Sequence, residues 1–588
     1  MSENIQSRYC GYNEKLAIKD RIFTPLSGVK LKEGLFKKVF DNNMAFLKTL
    51  DIDSMLYWFR VRAGRPAPGE PYRGHFEDNI KGQTAGMFLM GAGNVLRWQE
   101  DDELRDTMDR IINCIEECSE PDGYIMAIPK RYFGTREYPH YVRIWLNYGL
   151  IAAGLSGNEK AFRTLRRWQD WFNKCGELPI IKYLELSFQG IVASTSVYTT
   201  PVGTWDDIDI AMKYYEEDWR LAQFIFKEKN AVHTRNQPGH EPHPHGTELE
   251  SFEGYLDLYR ATGKYYYLNA VEGAYDLYKQ DWQHPGGGIV MCENISAYPG
   301  CYWISPEKHY NELCCTSFWI GLNQRLHRLY PDEERYVNEI EESLYNICIA
   351  NQDGVDGIRY FAWLDRYKCE SKKVTCCCGV GTKIFGFLPE YLYSIAEDGI
   401  YVDIYSASQL EWNHGGNIVR LETDTCMPYD SNVKIRISIA TADNFKLRLR
   451  IPLWTAGIAE IKVNGTEMLK GKPGSYCEID RIWSEGDTLE FRLPMEFKWL
   501  KYTGAEQIEG YERYSFMYGP MLYAVKGGME GYADGAFMTI DSPYDKVNEW
   551  AVPSNRPLAF KISNKPDCEL VPYFEIDEET FTCFPCFR

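Results

Sequence analysis

Cys376, Cys377 and Cys378 form an unbroken run in KVTCCCGVGTK, and earlier in the chain Glu312 and Cys314 stand two apart in YNELCC. Thiolates and carboxylates are good zinc ligands, and a tetrahedral site needs four of them. Two short donor pairs from distant segments meet such a need if the fold makes the segments neighbours. Spacing alone leaves open whether Cys376 or Cys378 pairs with Cys377. An isolated buried cysteine is a small hydrophobe, and the other cysteines, Cys114, Cys118 and Cys348 among them, read that way. His240, His243 and His245 crowd into HEPHPH, but the prolines hold that segment extended and throw alternate side chains to opposite sides. It reads as a pocket loop with one histidine facing a ligand, not as a metal site. Glu293 follows the glycine run Gly286–Gly288 in GGGIVMCEN, where backbone can approach a ligand closely, and is a candidate acid.

The rest of the chain narrows the partners. It has 588 residues, with 84 acidic against 65 basic and a net charge of −19, and 44% are apolar. That balance argues against nucleic acid or an anionic membrane, since phosphate contacts need concentrated Lys and Arg. No stretch of about 18 apolar residues occurs. The N-terminus MSENIQSRYC lacks the apolar core of a signal peptide. The expectation is a soluble, cytoplasmic protein whose 18 cysteines stay reduced. With 42 Tyr and 16 Trp, stacking against sugar rings is within its means. No Walker A loop, strand-following GxGxxG or GxSxG elbow points to nucleotides or a serine hydrolase.

These residues must be positioned by two kinds of architecture. From about Leu31 to Tyr391 apolar residues recur at helical spacing, as in Leu104, Met108, Ile111, Ile112 and Ile115, or Phe162, Leu165, Trp168 and Phe172. Roughly ten to twelve such segments without a strict repeat fit a helical toroid better than a bundle. After Tyr391 the period becomes two, in GIYVDIYSA, NVKIRISIA, FKLRLRIPL and DTLEFRLP, with turn signals at Asn464–Gly465 and Glu485–Asp487. The expected organisation is an N-terminal segment, 1–30, packing on the β region. A helical domain follows at 31–391, then a β-sandwich at 392–500 and a smaller all-β domain at 501–588. No low-complexity linker separates them, so tight packing between domains is expected.

The order of these pieces resembles glycoside hydrolase family 127, the zinc-cysteine β-L-arabinofuranosidases. PLSGVKLKEGLF and HGTELESFEGYLDLYRATGKYYYLNAV are similar to segments of its catalytic domain. GGGIVMCEN resembles its Gly-Gly segment ending in Gly-Glu, YNELCC its Tyr-x-Glu-Thr-Cys, and the cysteine run its Cys-Cys-Pro-Pro. LRIPLW, KVNG, DRIWSEGD and YGPMLYAV look like its sandwich signatures. The similarity runs over nearly the whole chain.

That resemblance implies an (α/α)6 toroid followed by β-sandwich domains. It implies Zn2+ held by Glu312, Cys314, Cys377 and Cys378, with Cys377 as nucleophile and Glu293 as general acid/base. The register follows from placing Gly379 where the family's next residue stands. Substrate contacts fall on His245, which matches a family histidine, on Gln83, where the family has a Gly-His, on His75, where it often has Trp, and on Tyr310 of the metal motif. Gly379 and Val380 replace the two prolines, so the metal motif is kept while the sugar pocket is altered. The expected activity is retaining exo-hydrolysis of a small glycoside or oligosaccharide, releasing β-L-arabinofuranose or a related furanoside unit, by an enzyme able to form a homodimer. Two other readings remain: a non-catalytic carbohydrate-binding protein with a structural zinc, and a toroid lyase or unsaturated-uronide hydrolase working through acids alone.

Overall fold

The computed structural model describes residues 15–25, 27–133, 138–176, 189–215, 220–229, 231–232, 246–290, 300, 302–306, 311–527 and 538–588. Among the described residues, twelve helices form the two rings of the first part, with Ile52–Arg62 and two short helices beside them: α1 (Leu35–Lys48), α2 (Gln83–Leu96), α3 (Asp102–Glu117), α4 (Tyr138–Leu155), α5 (Glu159–Asn173), α6 (Gln189–Tyr198), α7 (Trp205–Tyr215), α8 (Gly246–Thr262), α9 (Tyr265–Asp281), α10 (Leu313–Leu329), α11 (Arg335–Ser343) and α12 (Cys376–Gly386). The even-numbered helices pack in order around a closed ring, α2–α4–α6–α8–α10–α12 and back to α2. Each odd-numbered helix backs a member of that ring from outside, α1 closing on α12. This is the (α/α)6 toroid.

The two rings differ in sequence because they differ in surroundings. Outer α3 buries one stripe, Leu104, Met108, Ile111, Ile112 and Ile115, and leaves its acidic face to water. Inner α2 is covered on every side, and all of its residues are buried, as expected for a helix without a polar face. Its glycines set the distance to α4. A Cβ on Gly93 would stand 2.5 Å from the carbonyl carbon of Ala152, and one on Gly86 would stand 2.6 Å from that of Trp145. Gly93→Val is therefore expected to cost about 3 kcal/mol by forcing two backbones apart. Chemical denaturation of the variant measures it, and an unchanged midpoint would refute the close packing.

Segment 15–25 crosses the C-terminal ends of the inner helices. Ile18 N donates to Arg260 O of α8 (2.9 Å) and Arg21 N to Arg328 O of α10 (2.9 Å). Tyr198 of α6 donates through its hydroxyl to Lys15 O (3.1 Å). The chain then bridges the sandwich, Phe23 against Ile395 and β1 (Val29–Leu31) against Ser408–Leu410.

The β region begins with β2 (Tyr393–Ala396) and β3 (Gly399–Val402), followed by β4 (Ser408–His414), β5 (Asn417–Thr425), β6 (Asn432–Ile439), β7 (Asp443–Ile451), β8 (Ala459–Val463), β9 (Glu467–Gly471), β10 (Ser475–Trp483) and β11 (Thr488–Arg492). They form a seven-stranded sheet, β1-β4-β5-β6-β11-β8-β9, facing a four-stranded one, β10-β7-β3-β2. Alternation places Val433, Ile435, Ile437 and Ile439 of β6 inward. Asn464 (φ 51°) and Gly465 (φ 74°) turn β8 into β9, the left-handed pair that an Asn-Gly hairpin requires.

A third sheet, led by β12 (Phe497–Lys501), β13 (Glu512–Tyr518) and β14 (Met521–Lys526), has its own aromatic core around Phe497, Phe516, Trp550 and Phe560. It is tied to the toroid. Asp365–Arg366 pairs with Phe581–Thr582, and Asn346 Nδ2 donates to Pro520 O (2.8 Å) while its Oδ1 accepts from Leu522 N (2.7 Å). Among the described residues no helix is long and apolar enough to cross a membrane.

Candidate metal centre and active site

Two inner helices start at one place. Glu312 is the extended residue in front of α10 and is pinned by strand-like pairing to Phe361. Leu313 N donates to Tyr360 O (3.1 Å) and Ala362 N to Asn311 O (3.0 Å). Asn311 itself takes φ 72°, and its Nδ2 donates to Ala362 O (2.6 Å). Cys314 follows in the first turn. On the other side Thr375 caps α12, its Oγ1 accepting from Cys378 N (3.1 Å). The cysteine run thereby becomes the first three helical positions.

One ligand atom from each of Glu312, Cys314, Cys376 and Cys377 comes together within 4.8 Å, all four residues buried. Cys314 Sγ lies 3.4 Å from Cys377 Sγ, and Glu312 Oε1 lies 3.5 Å from the sulfurs of both Cys376 and Cys377. The fourth member of this group is Cys376 and not Cys378. Successive helical residues step about 100° around the axis, so three in a row cannot face one point. Cys378 Sγ turns back to Lys372 O (2.9 Å) and Thr375 Oγ1 (3.1 Å). Cys378→Ala is thus expected to leave metal content and turnover unchanged, which elemental analysis and an activity assay check. Loss of metal would restore Cys378 to the group.

The donor set suits zinc. Four ligands about 2.3 Å from a tetrahedral ion lie roughly 3.7 Å from one another, close to the separations here. Three sulfurs exclude the all-oxygen preference of calcium and magnesium. Both helix N-termini add positive potential where thiolates would sit. Burial alone would raise the Cys376 thiol. Hydrogen bonds from Cys314, Cys377, Tyr360 and Tyr141 outweigh it and hold the group well below its ordinary value. Burial pushes Cys314 and Cys377 up.

Accessibility separates the two paired thiols. Cys377 is 0% exposed and Cys376 is 6% exposed. Cys376 also meets Tyr360 OH at 3.5 Å and the hydroxyl of Tyr141 from the first turn of α4. Neither tyrosine carries a local sequence signal. Cys315 is fully buried outside the group. The C-terminal Cys583 and Cys586, spaced Cys-x-x-Cys, are fully buried near the third sheet and join no metal group among the described residues.

Of the expected pocket residues, Glu293, His245 and Tyr310 lie outside the described residues, as does the side chain of His75. Gly246, next after His245, opens α8 beside the group; a Cβ there would lie 3.5 Å from that of Cys314. Gln83 opens α2 but is fully buried, with Nε2 on Met87 Sδ (3.3 Å), and is not part of the four-residue group. Glu77 holds that helix start, its carboxylate accepting from Gly82 N (3.3 Å), Thr84 N (3.0 Å) and Thr84 Oγ1 (2.5 Å). Burial raises Glu77 to about 7. His140 turns away to pack on Phe133, ring centres 4.7 Å apart. Burial and the neighbouring Arg143 push it down to about 3. A depressed histidine contributes stability above its unfolded value, about 6.5, that disappears as pH falls toward 3. His140→Phe is expected to reduce the acid sensitivity of the unfolding midpoint over that window, and identical pH profiles would contradict it.

Residues 28–390 match the family described as β-L-arabinofuranosidase, GH127 catalytic domain, and residues 399–495 match the GH127 middle domain. The chain belongs to glycoside hydrolase family 127. A curated relative is the non-reducing end β-L-arabinofuranosidase of Bifidobacterium longum subsp. longum. It is 23% identical over 286 residues, and the match covers 43% of this chain and 42% of that relative. Among solved structures, a GH127 β-L-arabinofuranosidase from Geobacillus stearothermophilus T6 aligns with a TM-score of 0.74 at 17% identity. That alignment covers 95% of this chain and 100% of that one. A second GH127 β-arabinofuranosidase gives 0.76 at 17% identity, covering 98% of each. At that identity the likeness is one of fold, and it extends through the toroid and the sandwich of this GH127 chain.

Proposed function

We propose that this GH127 chain is a retaining exo-glycosidase that releases a terminal β-L-arabinofuranosyl or related furanosyl unit from a small glycoside. Glu312, Cys314, Cys376 and Cys377 would hold a zinc ion. The observation that supports this most is the buried four-donor group where α10 and α12 begin. Bound there, zinc would keep the coordinating sulfurs deprotonated at neutral pH.

The attacking sulfur is assigned to Cys376, one residue before the position that the family resemblance implies, because Cys377 is sealed between Cys314 and Glu312. Cys376 is the more accessible of the pair. A sulfur lone pair forms the bond to the anomeric carbon as the bond to the leaving oxygen breaks. Glu293 gives that oxygen its proton. Glu293 then takes a proton from water, the water oxygen bonds to the anomeric carbon, and the carbon–sulfur pair returns to Cys376. Two displacements at one carbon give net retention. The hydroxyls of Tyr141 and Tyr360 orient the sulfur through both steps. His245, His75 and Tyr310 are assigned to substrate contact; Gln83, fully buried against Met87, is not among them.

Elemental analysis of the purified protein, combined with a panel of synthetic aryl furanosides and pyranosides, tests the reading. One zinc per chain and release from β-L-arabinofuranoside or a close furanoside are expected. Transfer to methanol should give a product of unchanged anomeric configuration. Metal-free protein that cleaves nothing in the panel would defeat the proposal.

A further inference from the structure

A cavity of about 130 Å³ lies further along the inner helices from the thiol group. Arg325 stands eleven residues beyond Cys314 on α10, and Lys383 six residues beyond Cys377 on α12, roughly 9–16 Å along their axes at 1.5 Å per residue. Its charged wall among the described residues is Arg97, Arg325, Arg328, Lys383 and Glu390. Four cations thus meet one carboxylate on the wall itself, with Glu253 and Asp257 behind Arg325.

That carboxylate is already engaged. Glu390 takes Arg97 Nη2 (2.8 Å), Gln324 Nε2 (3.0 Å) and Thr24 Oγ1 (2.9 Å), with Arg328 at 3.6 Å. Arg325 is taken by Glu253 and Asp257 of α8. Lys383 makes no hydrogen bond or ion pair with any described residue. Its ammonium lies over the Tyr148 ring, 4.5 Å from the centre. Burial pushes its ammonium below the usual lysine range, and the side chains of Glu253 and Glu250 bear on it only through space. Around the same cavity the hydroxyls of Tyr148 and Ser196 and Arg328 Nε have no hydrogen-bond partner. The open donors are Lys383, Tyr148, Ser196 and Arg328 Nε, beside which Glu250 Oε1 and Glu253 Oε1 are also without a partner, and an unsatisfied buried donor costs about 1–3 kcal/mol.

We infer that this cavity is a binding site for a small oxyanion, carboxylate or phosphate, held by Lys383 with Tyr148, Ser196 and Arg328. An acceptor-rich anion satisfies the donors of Lys383, Tyr148, Ser196 and Arg328 that protein groups leave open, whereas an apolar guest does not. Segment 15–25, which crosses this end of the toroid, would shield it from bulk water.

The test titrates inorganic phosphate and, separately, succinate into the intact metal-loaded protein, with chloride at equal ionic strength as the control. Calorimetry and the unfolding midpoint are both read. Saturable binding of phosphate, of succinate or of both is expected, weakened at least tenfold in Lys383→Met. Preference between the two identifies the oxyanion class. Tyr148→Phe, which removes one donor at nearly constant volume, should weaken the same binding and serves if Lys383→Met fails to fold. No response beyond chloride in the unaltered protein, or affinity unchanged in the variants, overturns the site.

Discussion

Cys376→Ser is expected to lose turnover of an aryl furanoside by roughly a thousandfold or more while keeping bound zinc, because it removes the attacking atom. Cys377→Ser is expected to lose the metal first. Its sulfur is 0% exposed and sits between Cys314 Sγ and Glu312 Oε1, where it has no path to a sugar. Single-turnover kinetics and elemental analysis on both variants separate the roles. A Cys376→Ser enzyme near full activity, beside an inactive Cys377→Ser enzyme that retains zinc, would return the attack to Cys377. Cys378→Ser serves as an internal control, since its thiol is spent on Lys372 O and Thr375 Oγ1.

The chemistry of this centre is legible in residue types: three thiols and a carboxylate in two short motifs already point to a soft metal. The phase is not, because one residue decides it. Thr375 starts α12, and a threonine immediately before the run is the available N-cap signal. Read that way, Cys376 and Cys377 become adjacent first-turn residues and Cys378 rotates past the site. Tyr141 and Tyr360 reach the centre from segments far apart in sequence, and no local pattern marks them. The fold divides similarly. Outer helices such as α3 declare themselves by one apolar stripe, whereas inner α2, buried all round, reads as an undifferentiated apolar run with glycines. Those glycines make sense only once α4 lies against them.

Arg450 is where alternation misleads most, and there a large loss of stability is expected. In FKLRLRIPL its position reads as the solvent face of a strand, yet it is 0% exposed, because β7 lies against the chain around α11. Its Nε donates to Glu334 Oε1 (2.7 Å), its Nη2 to Glu341 Oε2 (3.0 Å) and its Nη1 to Asp403 O (3.1 Å). Trp454 Nε1 shares Glu341 (2.7 Å) and Leu453 N shares Glu334 (3.2 Å). Burial raises the carboxyl of Glu334 even with this guanidinium beside it. Arg450→Met keeps much of the volume but strands two buried carboxylates, so the cost is expected at about 3–5 kcal/mol. Combining it with Glu334→Gln and Glu341→Gln removes the uncompensated charge and should recover part of that loss, which a comparison of denaturation midpoints measures. The recovery distinguishes a charge clamp between toroid and sandwich from simple loss of packing: if the triple variant is no more stable than Arg450→Met, the clamp is not electrostatic.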